Sequence, residues 1–301
     1  VNEDPGAIVA RVCADPSASA ALAAFSGRRR SALRFWLVWT TAGLILGPAC
    51  YWSLAASGWS RFALQAAIAL VVGSLAIGAS ALGSVKEDLK VPVLTAAAAA
   101  AGFDYRENGF DPPGYSEARE ALFPWQTGEE FQDLFMGTDS DGRGLAVFEA
   151  RLKRGSGRTE RRGFQGQVYW IEREPRSTCA IVLLPGRGLL DFGNPGGLEP
   201  VGFSTDPDFD SRFRIYSDGE AEARLLFADL LLRRLLLELR DGGSVYAFLG
   251  RYNAVVAVAG ADRFEPGGLI DSSGGEDRVR TMVADLCDSL ATLRKLKERL
   301  G

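Results

Sequence analysis

Two stretches without a charged side chain, Phe35–Ala56 and Phe62–Leu82, follow one another with only Ser57–Arg61 between them. Each has about 20 residues, and a helix of that length rises about 30 Å, the hydrocarbon thickness of a bilayer. No other feature restricts the fold as strongly, because a segment in lipid must satisfy its own backbone donors and acceptors. The pair predicts a transmembrane helical hairpin over residues 35–84. Arg28, Arg29, Arg30 and Arg34 precede the first span, the loop carries Arg61, and Lys86 and Lys90 follow the second. These basic flanks predict a two-pass protein with cytoplasmic N- and C-termini. Trp36 and Trp39 mark one interface, and Tyr51, Trp52 and Trp59 the other, where amphipathic rings prefer to sit.

Small residues recur inside the spans. Gly43 and Gly47 form one small-xxx-small pair, and Ser74 and Gly78 another. Such residues let helix backbones approach closely in lipid. The ordinary reading is packing within one hairpin; the sharper one is a homo-oligomer built through the same face. No charged side chain lies in either span, so the membrane part has none to relay an ion. Two other readings compete. A lipid-modified Cys50 would follow Gly47-Pro48-Ala49, which match that pattern poorly. A buried hairpin in a soluble core would rarely hold two consecutive uncharged stretches of this length.

The chain has no histidine. That removes Ser-His-Asp and Cys-His catalysis, His-ligated zinc and a histidine base at neutral pH. Cys13, Cys50, Cys179 and Cys287 stand apart from one another, which predicts neither a zinc site nor a disulfide framework. Reduced thiols suit a cytosolic domain. A net charge of −4 disfavours nucleic-acid binding through a basic surface. No metal and no cofactor is expected.

Residues 1–34 read as a cytosolic tail, poorly ordered or loosely helical, and residues 85–301 as a cytosolic α+β domain. A helix leaves the membrane over 85–102, with Pro92 kinking or starting it. Tyr115–Phe123 and Glu129–Met136 read as short helices. Alternation at Leu145–Ala150 predicts a strand, Phe164–Ile171 a second and Thr178–Leu184 a third, with Lys153–Gly163 as the hairpin loop between the first two. Pro185–Pro200, rich in Gly186, Gly188, Gly193, Gly196 and Gly197, reads as a linker that would subdivide the domain near 185–200. Arg212–Tyr216 is a further strand. A capping box, Ser217-Asp218-Gly219-Glu220, then opens a leucine-rich helix running to about Arg240, expected as the centre of the core with Leu231 buried in it. Ser244–Leu249 and Tyr252–Ala259 pair as a hairpin. Glu276–Leu300 is a one-faced amphipathic helix. The order predicts an α+β fold: the two-helix hairpin, then a mixed, mainly antiparallel sheet with packed helices.

The candidate chemistry is carboxylate chemistry. Asp206, Asp208 and Asp210 alternate before Phe213, and with Asp218 and Glu222 they make the densest acidic cluster of this region. Converging carboxylates serve as acid and base or hold Mg²⁺. Asp206, Asp208, Asp218 and Glu222 are the catalytic candidates; the bland reading is a solvated loop and acids favouring a helix N-terminus. Arg224 is the anion-binding candidate, against an ordinary pair with Glu220 four residues earlier. Asp139-Ser140-Asp141-Gly142 starts like a calcium loop, but Arg143 and Ala150 stand where ligands are needed, so a turn fits better. The Gly186–Gly197 loop lacks Gly-Lys-Ser/Thr for cradling phosphate.

Phe209-x-x-x-Phe213-Arg214-Ile215-Tyr216-Ser217-Asp218, followed by Glu222-Ala223-Arg224, resembles the signature of a bacterial family, domain of unknown function 3137. Phe164-Gln165-Gly166 is similar to that family's Phe-Lys-Gly, and Gly142–Glu149 to its Gly…Phe-x-Glu strand. The likeness covers about residues 30–300, and Gln165 departs from it by lacking the lysine. The resemblance implies a protein of the bacterial cytoplasmic (inner) membrane with a cytosolic domain. It carries no established activity, and it hints at a LemA-like membrane protein as partner.

The functional expectation is a membrane-anchored cytosolic binding or scaffold module. Its partners would be the lipid bilayer and a protein, with homo-oligomerisation left open. A carboxylate-dependent enzyme acting near the membrane, with or without Mg²⁺, and a subunit of a transport assembly are the alternatives.

Overall fold

Helices α1 (Pro5–Ala14), α2 (Pro16–Ala56) and α3 (Ser60–Ala101) open the chain. The computed structural model describes residues 4–174, 179–186, 194–202, 206–267 and 274–301. Two units result, one of residues 1–100 with 265–284 and one of residues 101–264 with 285–301. Helix α8 (Gly275–Leu300) contributes its first part to the former and its second part to the latter.

In the first unit the expected loose tail is helical. Asp15 ends α1 and caps α2, accepting from the backbone N–H groups of Ser17 (2.9 Å) and Ala18 (3.0 Å). Such a cap satisfies donors that the helix itself leaves unmet. Ile8, Val12, Ala18 and Phe25 are buried, so the segment has packing partners that its Ala- and Ser-rich composition did not advertise. At 41 residues, α2 is about 60 Å long, about twice a bilayer core. Its uncharged part occupies the C-terminal half. Helix α3 runs unbroken past the second apolar stretch, with Pro92 inside it. Pro92 neither starts nor ends this helix. In the charged half of this unit Arg28 meets Asp88 at 2.7 Å, the buried Lys90 meets Glu265 at 3.1 Å, and the Arg278 guanidinium lies 5.6 Å from the Phe25 ring centre. Arg278 also donates to the Pro266 carbonyl.

The second unit is built on nine strands: β1 (Asp104–Arg106), β2 (Gln126–Thr138), β3 (Gly144–Arg154), β4 (Arg161–Glu172), β5 (Ile181–Pro185), β6 (Glu199–Val201), β7 (Phe213–Ser217), β8 (Val245–Leu249) and β9 (Asn253–Ala259). They form one sheet in the order β1-β2-β3-β4-β9-β8-β5-β7-β6, and every described pairing is antiparallel. The fold is therefore α+β, with two long apolar N-terminal helices ahead of an antiparallel sheet. Strand alternation splits the core in two. Ala146, Phe148, Ala150, Val168, Val182 and Val255 face helix α4 (Tyr115–Leu122) together with the Phe123, Phe164 and Tyr246 rings. Leu145, Val147, Tyr169 and Ile171 are buried on the opposite face. There Gln167 of β4 donates to Ser289 of α8 at 2.9 Å.

Several expectations are corrected. Glu129–Met136 is strand, not helix: backbone pairing of β2 with β3 along its length outweighs local helix propensity. The loop between β3 and β4 is shorter than Lys153–Gly163, because the pairing continues to Arg154↔Arg161. No subdivision occurs at 185–200. Strands on both sides of that segment share the sheet, since β7 pairs with β5 and with β6. Thr178, Gly188 and Gly193, which figured in the expected strand and linker, lie outside the described residues.

The leucine-rich helix is two helices, α6 (Glu220–Phe227) and α7 (Leu230–Gly242). Asp229 breaks it by taking an extended backbone and capping α7, accepting from Leu231 N–H at 2.8 Å. The expected capping box does not form. Ser217 closes β7, donates from its hydroxyl to the Ala180 carbonyl, and accepts from Gly219 N–H, leaving Gly219 as the N-cap of α6. The break redirects the leucines: Leu232, Leu235 and Leu236 are buried, whereas Leu225, Leu230 and Leu231 are 78%, 60% and 49% exposed.

This geometry moves the sensitive position by one residue. Leu232→Asp, placing a charge in the core of α7, is expected to lower stability by about 4 kcal/mol or more. Leu231→Asp is expected to change it by about 0.5 kcal/mol or less. Denaturant unfolding of the full-length protein in mild detergent, read by far-ultraviolet circular dichroism, measures both.

Candidate functional site

The small residues of the spans face across the hairpin. A Cβ on Gly43 would stand 2.7 Å from the Ser74 Cβ, and one on Gly47 would stand 2.7 Å from the Val71 Cγ2. One on Gly78 would stand 2.9 Å from the Trp36 Cδ1 and 3.2 Å from its Cα. Gly43, Gly47, Ser74 and Gly78 thus all lie on the seam between α2 and α3, where their lack of bulk lets the backbones meet. Ser74 bonds its hydroxyl to the Leu70 carbonyl at 2.7 Å and presents no loose polar group. The outward faces are apolar. Leu37, Val38, Leu44, Ile45 and Trp52 on α2, and Phe62, Leu64, Ile68 and Val72 on α3, are each more than half exposed. Only 11% of the most apolar stretch of α2, and 22% of that of α3, is buried. The core hairpin of a soluble protein would show the reverse. Both helices are long and apolar enough to cross a membrane.

The sequence-predicted carboxylates engage different protein groups. Asp206 caps helix α5 (Pro207–Arg212) through Phe209 N–H at 3.2 Å, and its second oxygen pairs with the buried Arg233 of α7 at 3.0 Å. Asp208 pairs with Arg212 at 3.0 Å on the surface. Asp210 is pushed above the ordinary carboxylate range by burial and then by the charge of Asp206. Asp218 accepts from Ala180 N–H at 2.7 Å, tying β7 to β5. Glu222 accepts from the Cys179 thiol. Arg224 pairs with Glu220 at 2.7 Å, one turn away on α6, and is half exposed. Asp206, Asp208, Asp218 and Glu222 thus each bond a different protein group. Among the described residues no three His, Cys, Asp or Glu side chains gather as metal ligands.

The acidic turn after β2 is likewise closed by protein cations. Asp139 accepts from the N–H groups of Asp141 (2.8 Å) and Arg143 (2.9 Å), and Lys297 of α8 reaches it at 3.0 Å. Gly142, with φ at +78°, completes the turn where a side chain would be strained. Burial pushes the Asp139 carboxyl up. The Arg143 N–H, the Lys297 ammonium and the Asp141 N–H outweigh that effect and hold it at about 2.

Two further acids are buried inside the sheet unit. Asp133, fully buried in β2 at an irregularity of the β2–β3 register, has φ at +55° and accepts from the Tyr105 hydroxyl at 2.7 Å. Burial, then the charge of Asp133, pushes the Tyr105 phenol far up. Glu149 of β3 accepts from the N–H groups of Arg263 (2.7 Å) and Phe264 (3.4 Å). The signal for both is an acid in an apolar strand: Asp133 in Phe131–Met136, and Glu149 in step with Leu145 and Val147. Gln165, where the resembled family carries lysine, donates to Asp262 at 2.6 Å, and Arg151 bonds the same carboxylate. Polar groups in this unit thus hold backbone and loops.

On the described surface of the sheet unit, large apolar exposure concentrates at the α6–α7 elbow, in Leu225, Leu230 and Leu231, with Tyr252 elsewhere. Their leucine-rich context hid them.

Comparison with protein-family models and with curated proteins finds no match. Among solved structures the chain is similar to the crystal structure of the mycobacterial trehalose monomycolate transport factor A, TtfA. The TM-score is 0.35 and the identity 14%, over 65% of this chain and 90% of that one. A likeness at this level says nothing of what this chain does.

Two measurements test the local roles. Asp206→Ala removes a helix cap and the partner of a buried arginine, and is expected to cost about 1–3 kcal/mol. Asp208→Ala, on the surface, is expected to cost about 0.5 kcal/mol or less. Asp139 stabilises the fold at pH above its ordinary value of 3.8, and that contribution is lost as pH falls through about 2. Asp139→Asn should therefore be less stable than the natural protein at neutral pH, and the gap should close between pH 4 and pH 2 in acid unfolding curves.

Proposed function

We propose that this chain is a membrane-anchored binding module: α2 and α3 cross the bilayer as a hairpin, and the sheet unit binds a protein partner on the cytoplasmic side. The contrast in apolar exposure carries this reading. Across the hairpin the large apolar side chains point outward, whereas in the sheet unit they are buried except chiefly at the α6–α7 elbow. An outward apolar face about 30 Å long and free of charge suits lipid. The arginines at 28–30 and 34, with Lys86 and Lys90, support cytoplasmic flanks. Exposed leucines close together in sequence, between charged neighbours, suit a protein contact. The spread of the candidate carboxylates over separate local partners weighs against a carboxylate-dependent enzyme.

The resemblance to the domain of unknown function 3137 family agrees with this reading and would add a bacterial inner membrane and a LemA-like partner. The hairpin geometry supports a role of the small residues within one chain rather than between copies.

Extraction of native membranes with alkaline carbonate is expected to leave the protein in the pellet; release into the supernatant would remove the anchor. Affinity purification of the full-length protein in mild detergent, with mass spectrometry, is expected to recover a stoichiometric protein. The double variant Leu225→Glu, Leu230→Glu should lose it while remaining folded and membrane-bound. Retention of the partner by that variant would refute the elbow as its docking surface.

A further inference from the structure

Strands β3 and β4 meet in a β-hairpin whose tip is a run of like charge. Residues 153–162 hold five Lys or Arg and one acid, Glu160, in a chain whose net charge is −4. The register sets these cations against one another: Lys153 lies opposite Arg162, and Arg154 lies opposite Arg161. Like charges directly opposite on neighbouring strands destabilise a sheet. Two such pairs in succession break a local rule of strand pairing, and such breaks gather at functional surfaces. We propose that this tip is a docking surface for the anionic phospholipid headgroups of the membrane that holds α2 and α3. The inference rests on the membrane anchor proposed above and goes beyond it by giving the sheet unit its own contact with the lipid surface.

Lys153, Arg161 and Arg162 are exposed. Glu160 meets Lys153 at 3.0 Å, and among the described residues neither Arg161 nor Arg162 forms an ion pair. The acids of the neighbouring strand β2 are engaged elsewhere. Glu129 accepts from Gln126, and Glu130 accepts from Gln132 at 2.7 Å and lies 3.5 Å from Arg151. Hydrogen bonds also hold the tip in shape. The Thr127 hydroxyl donates to the Gly155 carbonyl at 2.6 Å, and the Thr159 hydroxyl to the Ser156 carbonyl at 2.9 Å. A tip held in this way presents its charges without the ordering cost of a loose loop.

Charge complementarity selects an anionic partner, and the tether selects the membrane. Anionic headgroups attract Lys and Arg that come within a Debye length of the bilayer surface. As part of one chain with α2 and α3, the sheet unit meets that surface at high effective concentration, so a few weak charge contacts suffice. The competing occupant is a nucleic acid. Single strands stack their bases on open aromatic faces within basic grooves. Trp125, the ring beside Gly163, is half-buried and packs edge-on against Phe123 with centroids 5.7 Å apart. A Cβ on Gly163 would stand 2.0 Å from that ring, which is therefore packed against the fold and not open to a base. The net negative charge of the chain also repels a long polyanion, whereas headgroups can meet the tip alone.

The test uses the full-length protein in vesicles of phosphatidylcholine, and in vesicles of equal parts phosphatidylcholine and phosphatidylglycerol. Carbonate extraction comes first: a protein released from both overturns the anchor and this inference with it. In the inserted protein, backbone hydrogen–deuterium exchange is read by mass spectrometry. Exchange over residues 153–162 is expected to be several-fold slower in the anionic vesicles than in the neutral ones, and high salt should abolish the difference. Arg161→Gln combined with Arg162→Gln should lose the slowing without lowering the thermal unfolding midpoint, because two like-charge pairs are relieved. Arg106→Gln, at an exposed arginine of β1, should keep the slowing. Equal exchange at the tip in both vesicles overturns the surface contact and leaves the anchor standing. A lower midpoint in the double variant assigns the arginines to the fold and also overturns it. Slowing by added polyuridylate in neutral vesicles, with none from phosphatidylglycerol, overturns it in favour of a nucleic acid.

Discussion

The pairing of β4 with β9 holds the sheet unit together. Seven residue pairs, from Gly166↔Ala259 to Glu172↔Asn253, join residues that lie 81 to 93 positions apart in the chain. On one side of this seam the strands β1 to β4 form a meander of neighbours in sequence. On the other, β9 leads to β8, β5, β7 and β6, in an order the chain reaches only through crossovers. Residues of these two strands also reach both layers: Gln167 meets Ser289, and Val255 and Ala257 belong to the cluster beneath α4.

The polar groups of the sheet unit serve that architecture. Asp218 ties β7 to β5, Asp206 caps α5 and neutralises Arg233, and Glu149 gathers the backbone beyond β9. A buried carboxylate is stable only where donors replace its water, and here backbone N–H groups, the Arg233 guanidinium, the Lys297 ammonium and the Tyr105 hydroxyl do so. The hairpin obeys a simpler rule. Lacking charge and facing outward with bulk, it is organised by where bulk is missing, and its glycines mark the helix seam.

Much was legible without coordinates. The two apolar stretches, the amphipathic last helix with Val279, Met282, Leu286, Leu290 and Leu293 buried, and the β8–β9 hairpin appear where their patterns predict. The alternation at Leu145–Ala150 gave the correct faces of β3. Misreadings arose where distant partners decide. Glu129–Met136 has helix-forming residues but pairs along β3, and the charged and alanine-rich start of the chain has apolar partners for Ile8 and Phe25. The elbow at Asp229 could be seen as a cap only by giving an aspartate before leucines more weight than the leucine run.

What the sequence alone determined is the pair of long apolar helices and the type of most elements, because hydropathy and periodicity are local and the energies behind them add residue by residue. What only the tertiary structure decided is which groups meet: that Gly43 and Gly47 face Ser74 and Val71, that Asp206 pairs with Arg233, and that Leu231 lies outside while Leu232 lies inside. Those outcomes depend on crossovers, on one helix break and on strand register, where a displacement of one residue reverses the face that a side chain takes.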